Sequence, residues 1–422
     1  METLAQKIIS HASASSSAQV GDVVVCSVDL AMIHDSGGPR RVKPILERLG
    51  RSVWDNHRVV VVTDHYVPVE SDETRAIQEL TRNWVTEQDI SNFYDQQGIC
   101  HVVLPERGHL APGMFCVGGD SHSPTGGAFG AYMFGIGATE MAGVLATGEI
   151  WIKVPETILI HWSGHLSDYV TAKDMMLATC GRLGMGGGRY QAIQYAGEAI
   201  HDLDMQERMT MSNMAAELGG QAGLIAPDEV TIDYIRSVGG TVPADWKSYQ
   251  IEVPDPDGEV HYFDASALTP QIAAPHSPEN ADAAAAFKNT HFDVAYDGAC
   301  TGAKYTDLKA AASVLKGRKI ASHVTLKVAP ASLRDQQRAD AEGVMQILQD
   351  AGAEFLPNSC GICAGYGRDR LLDEQVCLST TARNFKGRMG ASTSQVYLAS
   401  PYTVAASAIA GSMVDPREVT EG

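Results

Sequence analysis

The sequence predicts an α/β protein built from three layered units. Three observations carry this. Short β-branched runs recur along the chain ("DVVVCSVDL", "HRVVVVTDHYVP", "ICHVVLP", "TILIHWSG"), each about as long as a buried strand. Helix-like stretches alternate with them, among them "TMSNMAAELGGQAGLI", which closes on Gly219 and Gly220. A chain of 422 residues also exceeds what one hydrophobic core normally organises.

In chain order, Leu4 to Ile9 reads as a short amphipathic helix followed by a loop. The N-terminus has no basic region ahead of an apolar core, so it does not read as a secretory signal. Glu2 and the scarcity of arginine argue against a transit peptide. A first α/β unit is expected over 1–155, interrupted by the glycine-rich "GGDSHSPTGGAFGAYMFGIG", where the backbone must bend tightly or approach a ligand. A second unit is expected over 156–251. The proline-punctuated stretch 252–289 reads as an extended linker. A third unit covers 290–422: "HFDVAYDGACTG" and "HVTLKVA" as strands, then "DLKAAASVLKG" and "RADAEGVMQILQDAG" as helices leading into "NSCGICAGYG". No short internal repeat is visible.

Composition excludes several classes. A net charge of −19, spread along the chain, disfavours a phosphate backbone as partner, so no nucleic acid is expected. No run of eighteen apolar residues exists, so no bilayer-spanning helix and no membrane partner are expected, and a cytoplasmic location is the default. The eight cysteines do not make a disulfide framework in such a chain, and Cys26 and Cys180 read as small buried hydrophobes.

The chemistry-bearing residues gather in loops after strands. Cys360 and Cys363 stand in C-x-x-C spacing, and Cys300 ends a strand about sixty residues earlier. Such loops meet at one edge of a parallel sheet, which suits a metal centre. Zinc wants a fourth ligand, for which Cys377 or a histidine is the available choice. A three-cysteine cubane leaves one iron open for Lewis-acid chemistry. Spacing alone leaves cluster, zinc and inert thiols all open. Asp64–His65, His101 and Asp120–Ser121–His122 form a second group, because a carboxylate fixes and strengthens a histidine for acid–base work. Any one such pair is as well explained by a turn or cap; three after separate strands are harder to dismiss. Arg383 and Arg388 offer forks suited to carboxylates. His161 and His165 read as structural.

Taken in order, "GDSHSPTGGAFGAYMFGIGATEMAGVLATGEIWIKVPETI", "MTMSNMAAELG", "PQIAAPHSPEN", "DGACTG", "CGIC" and "STTARNFKGRMG" resemble the aconitase superfamily over nearly the entire chain. In length and wording they are most similar to large subunits of isopropylmalate dehydratase or homoaconitase type. The resemblance implies three α/β/α domains around a [4Fe–4S] cluster on Cys300, Cys360 and Cys363. It implies a hydro-lyase that dehydrates and rehydrates a small 2-hydroxy di- or tricarboxylic acid, with 3-isopropylmalate first among candidates. A methylmalate-type dehydratase or a cluster-sensing, RNA-binding relative is the alternative. Asp64 and His65 match the pair that protonates the departing hydroxyl. His101 with Asp120, and His122 with Glu217, match the other acid–base pairs. Ser121, Arg383, Arg388 and, more loosely, His34 match substrate contacts, and Asn213 a neighbour of the cluster.

Two departures stand out. Where relatives commonly read S-C-T-N, this chain has Ala299-Cys300-Thr301-Gly302; where they commonly read N-R-N-F, it has Ala382-Arg383-Asn384-Phe385. The family's swivelling fourth domain, which carries the serine base, finds no counterpart after "AIAGSMVDPREVTEG". A separate small subunit is therefore the expected partner.

Overall fold

The computed structural model describes residues 2–15, 17–251 and 258–420. The N-terminal helix spans Leu4–Ala12, entered through a capping box in which Thr3 and Gln6 satisfy each other's backbone donors. The first unit holds seven strands: β1 (Val23–Ser27), β2 (Leu30–His34), β3 (Val59–Thr63), β4 (Asn92–Asp95), β5 (Phe115–Gly118), β6 (Tyr132–Gly135) and β7 (Glu149–Lys153). Five of them form a parallel sheet in the order β4-β3-β2-β5-β6, while β1 and β7 pair as an antiparallel ribbon. Every residue of β3, "VVVVT", is buried, as expected of a strand covered on both faces. Strand order reverses at β2, so a crevice opens beyond the carboxyl ends of β2, β3 and β5.

The second unit has β8 (Thr157–Ser163), β9 (Ala192–Ala196), β10 (Ala222–Ile225) and β11 (Val260–Asp264), a parallel sheet ordered β10-β9-β8-β11. The third has β12 (Gln271–Ala273), β13 (Ala281–Ala283), β14 (Val294–Asp297), β15 (Thr325–Val328), β16 (Glu354–Phe355), β17 (Val376–Ser379) and β18 (Gln395–Ala399). Their order is β13-β12-β18-β17-β14-β15-β16, with only the β12 pairings antiparallel. Of the expected linker, residues 252–257 lie outside the described residues. The remainder is woven into the sheets, β11 extending the second and β12 and β13 the third.

Two sequence expectations need correcting. "ICHVVLP" is not a strand but the helix Cys100–Glu106, buried at all seven positions. A short segment apolar on every side carries no period, so helix and buried strand look alike. "RADAEGVMQILQDAG" is two helices rather than one, Leu333–Ala341 and Val344–Ala351, divided where Gly343 takes φ +74°.

The units are joined by shared cores. Ile160, Tyr195 and Met211 of the second pack in one cluster with Tyr296, Val396 and Leu398 of the third. Met32, Val60 and Cys116 of the first sheet share another with Met205, Met209 and Cys300. Each such side chain contributes about 1.5–3 kcal/mol by leaving water. The strand ends are thereby held facing one another.

Candidate active site

The first unit's loop residues sit where strands stop. His34 ends β2 and Asp35 follows; Asp64 and His65 follow β3; Asp120, Ser121 and His122 follow β5. His101 is in the first turn of the helix Cys100–Glu106, whose opening amide, Cys100 N, donates to Asp64 Oδ2 at 2.8 Å. One carboxylate thus anchors a helix and, through Oδ1 at 2.6 Å, accepts from His65 Nδ1. Burial alone would push His65 down. The Asp64 charge and hydrogen bond, with Asp35 and Asp120 behind them, override it and raise the imidazole to about 10. Asp64, raised by burial but lowered more by His65, settles at about 2.

Asp120 is the hub of the first unit's contribution. Its Oδ1 accepts from His101 Nε2 at 2.7 Å and from the His122 amide at 2.8 Å. Its Oδ2 lies 3.8 Å from His34 Nε2 and 3.9 Å from His65 Nε2. Burial works against that carboxylate, yet the histidines, His101 foremost, hold it well below the usual range. His34 stacks on His65 with centroids 4.1 Å apart, its Nε2 bonded to Gly119 O and its buried Nδ1 without a partner.

The second unit brings Glu217 and Asn213. The helix Met205–Asn213 runs into a 3-10 turn, Met214–Leu218, that ends on left-handed Gly219. Glu217, fully buried, accepts from His122 Nε2 at 2.9 Å and from Arg383 Nε at 2.8 Å. Arg383 also donates to Ser121 Oγ at 2.7 Å. Asn213 Nδ2 donates to Thr125 Oγ1 at 2.8 Å and to the Cys300 sulfur at 3.2 Å.

The third unit delivers the thiols and arginines from the ends of β14, β16 and β17. Cys300 follows β14 through Ala299, held at φ +69°. Cys360 opens the 3-10 turn Gly361–Ala364, which contains Cys363, and the Cys360 amide donates to Asp64 O at 2.8 Å. All three cysteines are free. Cys363 lies on the thiolate side, held down to about 6 by the neighbouring Cys360 thiol and by Arg388 and Arg383. Burial pushes Cys300 up to about 12. The Arg388 guanidinium is raised by the charge of the neighbouring cysteines, Cys363 first, against its burial, and it keeps a buried Nε without a partner.

This donor set fits an iron–sulfur cluster better than a single zinc ion. Among the described residues, no set of three ligand atoms that includes a thiol lies within single-ion distance; the two sets that do are His34, Asp35, Asp64 and His65, and His101, Asp120 and His122. Cys377 sits inside β17, buried in register with Val294 and Val396, and turns away from any fourth-ligand role. An amide on the Cys300 sulfur and a guanidinium beside Cys363 suit sulfur ligands that bear negative charge.

Sequence reasoning missed Asp35, Lys173 and Lys304. Asp35, fully buried, accepts from the amides of Ser36, His65 and Tyr66 at 3.0, 3.1 and 3.0 Å and so shapes the Asp64–His65 turn. Its place directly after the wholly buried strand β2 was the available signal. The two lysines lie behind the Cys300 turn. Burial, then Lys304, brings Lys173 down to about 8.

The model of the aconitase family (aconitate hydratase) matches residues 6–289 and 280–411. This chain belongs to the aconitase family. It is accordingly an enzyme of the lyase type. It is 43% identical over 420 residues to a 3-isopropylmalate dehydratase large subunit of Methanopyrus kandleri, covering 99% of both chains. It is 41% identical over 400 residues to a probable methanogen homoaconitase large subunit of Methanosarcina mazei, covering 94% of this chain and 100% of the other. The structure of Thermococcus kodakaraensis aconitase X superposes with a TM-score of 0.51 at 12% identity, over 85% of this chain and 84% of that one, a likeness of fold alone. No helix among the described residues is long and apolar enough to cross a membrane.

Proposed function

We propose that this chain is the catalytic large subunit of a two-subunit hydro-lyase that moves water on a small 2-hydroxy di- or tricarboxylic acid, 3-isopropylmalate first. The convergence of three thiols, three carboxylate–histidine pairs and two arginines at facing strand ends carries the reading. Cys300, Cys360 and Cys363 would hold a [4Fe–4S] cluster. Bound there, it would supply a Lewis acid for the substrate hydroxyl and carboxylate.

The chain's own residues account for the rest. His65, kept protonated by Asp64, holds a proton at Nε2 for a departing hydroxyl. His101 and His122, each fixed by its carboxylate, are the further proton carriers. Arg383 is oriented by Glu217 and Ser121, leaving part of its fork for a substrate carboxylate, and Arg388 adds positive charge beside it. Burial of the cluster of histidines and carboxylates excludes water and strengthens each of these fields. A small subunit would complete the site with the proton-abstracting base, and a cytoplasmic setting suits the free thiols.

The test is anaerobic co-purification with a small-subunit partner, followed by iron and sulfide analysis and assays with isopropylmalate, homocitrate and citrate. Four irons and four sulfides per chain with turnover of isopropylmalate are expected. Zinc alone in the site, or inertness toward all three acids, would defeat the reading. Preference for homocitrate would favour the homoaconitase reading, which the Methanosarcina mazei relative supports.

A further inference from the structure

Two lysines are almost completely buried behind the Cys300 turn, Lys304 at 0% and Lys173 at 2% exposure. Neither is used by the acid–base groups above. Lys304 is compensated: its Nζ meets Asp307 Oδ2 at 2.6 Å, with Thr210 Oγ1 at 2.9 Å and Cys300 O at 3.3 Å. Lys173 has no such partner. Its Nζ donates to Thr381 O at 2.6 Å, to Thr380 O at 2.9 Å and to Thr301 Oγ1 at 3.4 Å. Among the described residues no carboxylate lies within ion-pair reach of it.

A buried ammonium with only neutral acceptors is expensive to keep. Its position adds to that cost. Lys173 is in the first turn of the helix Ala172–Leu183, at the end where the helix dipole disfavours a cation. The residues it holds explain the placement. Thr301 adjoins Cys300, and Thr381 lies two residues before Arg383, so one ammonium spans the turn that carries a thiol and the turn that carries a guanidinium. What stands on the far side of those turns, on the reading above, is a cluster whose three thiolates leave it with net negative charge.

We propose that Lys173 is the buried counter-charge of the cluster site, a positioning residue that ties the Cys300 and Arg383 turns together and holds the cluster's reduction potential up. A fixed positive charge stabilises the reduced, more negative form, so its removal lowers the potential. The inference rests on the cluster assignment.

The experiment compares wild type, Lys173→Met, Lys173→Gln and Thr301→Val, each purified anaerobically with its partner subunit. Iron and sulfide are counted, folding is followed by circular dichroism, and the midpoint potential is titrated with paramagnetic resonance as readout. Lys173→Gln keeps a donor for the two carbonyls without the charge; Thr301→Val removes the longest contact and keeps the charge. A more negative potential in both lysine variants, with Thr301→Val at the wild-type value, is expected. A loaded Lys173→Gln protein at the wild-type potential overturns the proposal, as does collapse of both lysine variants, which would assign the side chain to tying loops alone. A wild-type chain without a four-iron cluster would instead overturn the functional reading, and this inference with it.

Discussion

Arg383 lays its Nε across both oxygens of Glu217, at 2.8 and 3.0 Å, in a site where the carboxylate is wholly buried. Glu217 also accepts from His122, so one group orients a substrate-facing cation and a proton carrier together. Burial acts to raise Glu217, but His122 and Arg383 outweigh it and keep the carboxyl below its ordinary value. Glu217→Gln is therefore expected to lower kcat by about 100-fold or more, the scale of a misdirected acid–base group. Loss of the charge beside Arg383 should also cost about 3–5 kcal/mol. Steady-state kinetics and urea melts check both; wild-type values in the two together would remove Glu217 from the site.

The Asp64–His65 pair predicts a pH dependence. His65 is raised from 6.5 to about 10 in the folded chain, so its stabilising contribution is fully present below 6.5 and fades as pH rises through about 10. Asp64 is lowered from 3.8 to about 2, so its contribution is present above 3.8 and fades as pH falls through about 2. Between pH 3.8 and 6.5 the ion pair's contribution should be flat. Asp64→Asn removes the strongest influence holding the proton on His65, and burial then acts unopposed by it. The alkaline limb of the kcat profile should move to lower pH, and the His65 imidazole resonance should titrate near or below neutrality. An unmoved limb would show that His65 is not the proton donor.

Much of this site was legible because its residues follow strands. Asp64–His65 and Asp120–Ser121–His122 directly continue apolar β-branched or glycine-flanked runs, and parallel sheets place such residues at one edge. Glu217 and Asn213 were reached only through family resemblance, since nothing local distinguishes a carboxylate or amide late in a helix from a solvated one. Lys173 was invisible for a related reason: a lysine beside an N-cap threonine reads as exposed, and only the tertiary packing of β17 and the Cys300 turn buries it. The helix Cys100–Glu106 read as a strand because both ends and all faces are covered. Its first turn was nevertheless placed in the site through His101.

Thiol identity supplies a third prediction. Cys360→Ser should lose the four-iron centre, together with the visible absorbance that oxygen or chelation bleaches in the wild type. Cys377→Ser is the control, because Cys377 is a free thiol buried within β17, whereas Cys360 is half-buried in its turn. Iron analysis and visible spectra of the two variants decide it. Equal iron in both would show that Cys360 is not a ligand, whatever the activity.

Gly302 and Thr380 meet too closely for a second side chain. A Cβ on Gly302 would fall 2.0 Å from Thr380 Oγ1 and 2.1 Å from Thr380 Cβ. Thr380 is not idle there: its Oγ1 accepts from Gly298 N at 2.9 Å and donates to Gly298 O at 3.0 Å, while its own carbonyl receives Lys173. An asparagine side chain at this position therefore has no room, and the threonine occupies that space. Gly302→Ala is expected to destabilise by about 1–3 kcal/mol, the range for overpacking a filled interior. Thr380→Gly should destabilise too, by emptying the same space and releasing Gly298. If the two positions share that space, the double variant loses less than the sum of the singles, with a coupling of about 0.5–3 kcal/mol in a double-mutant cycle of urea melts. Strict additivity would mean that the Cys300 turn can shift to admit a side chain, and that the missing amide has some cause other than Thr380.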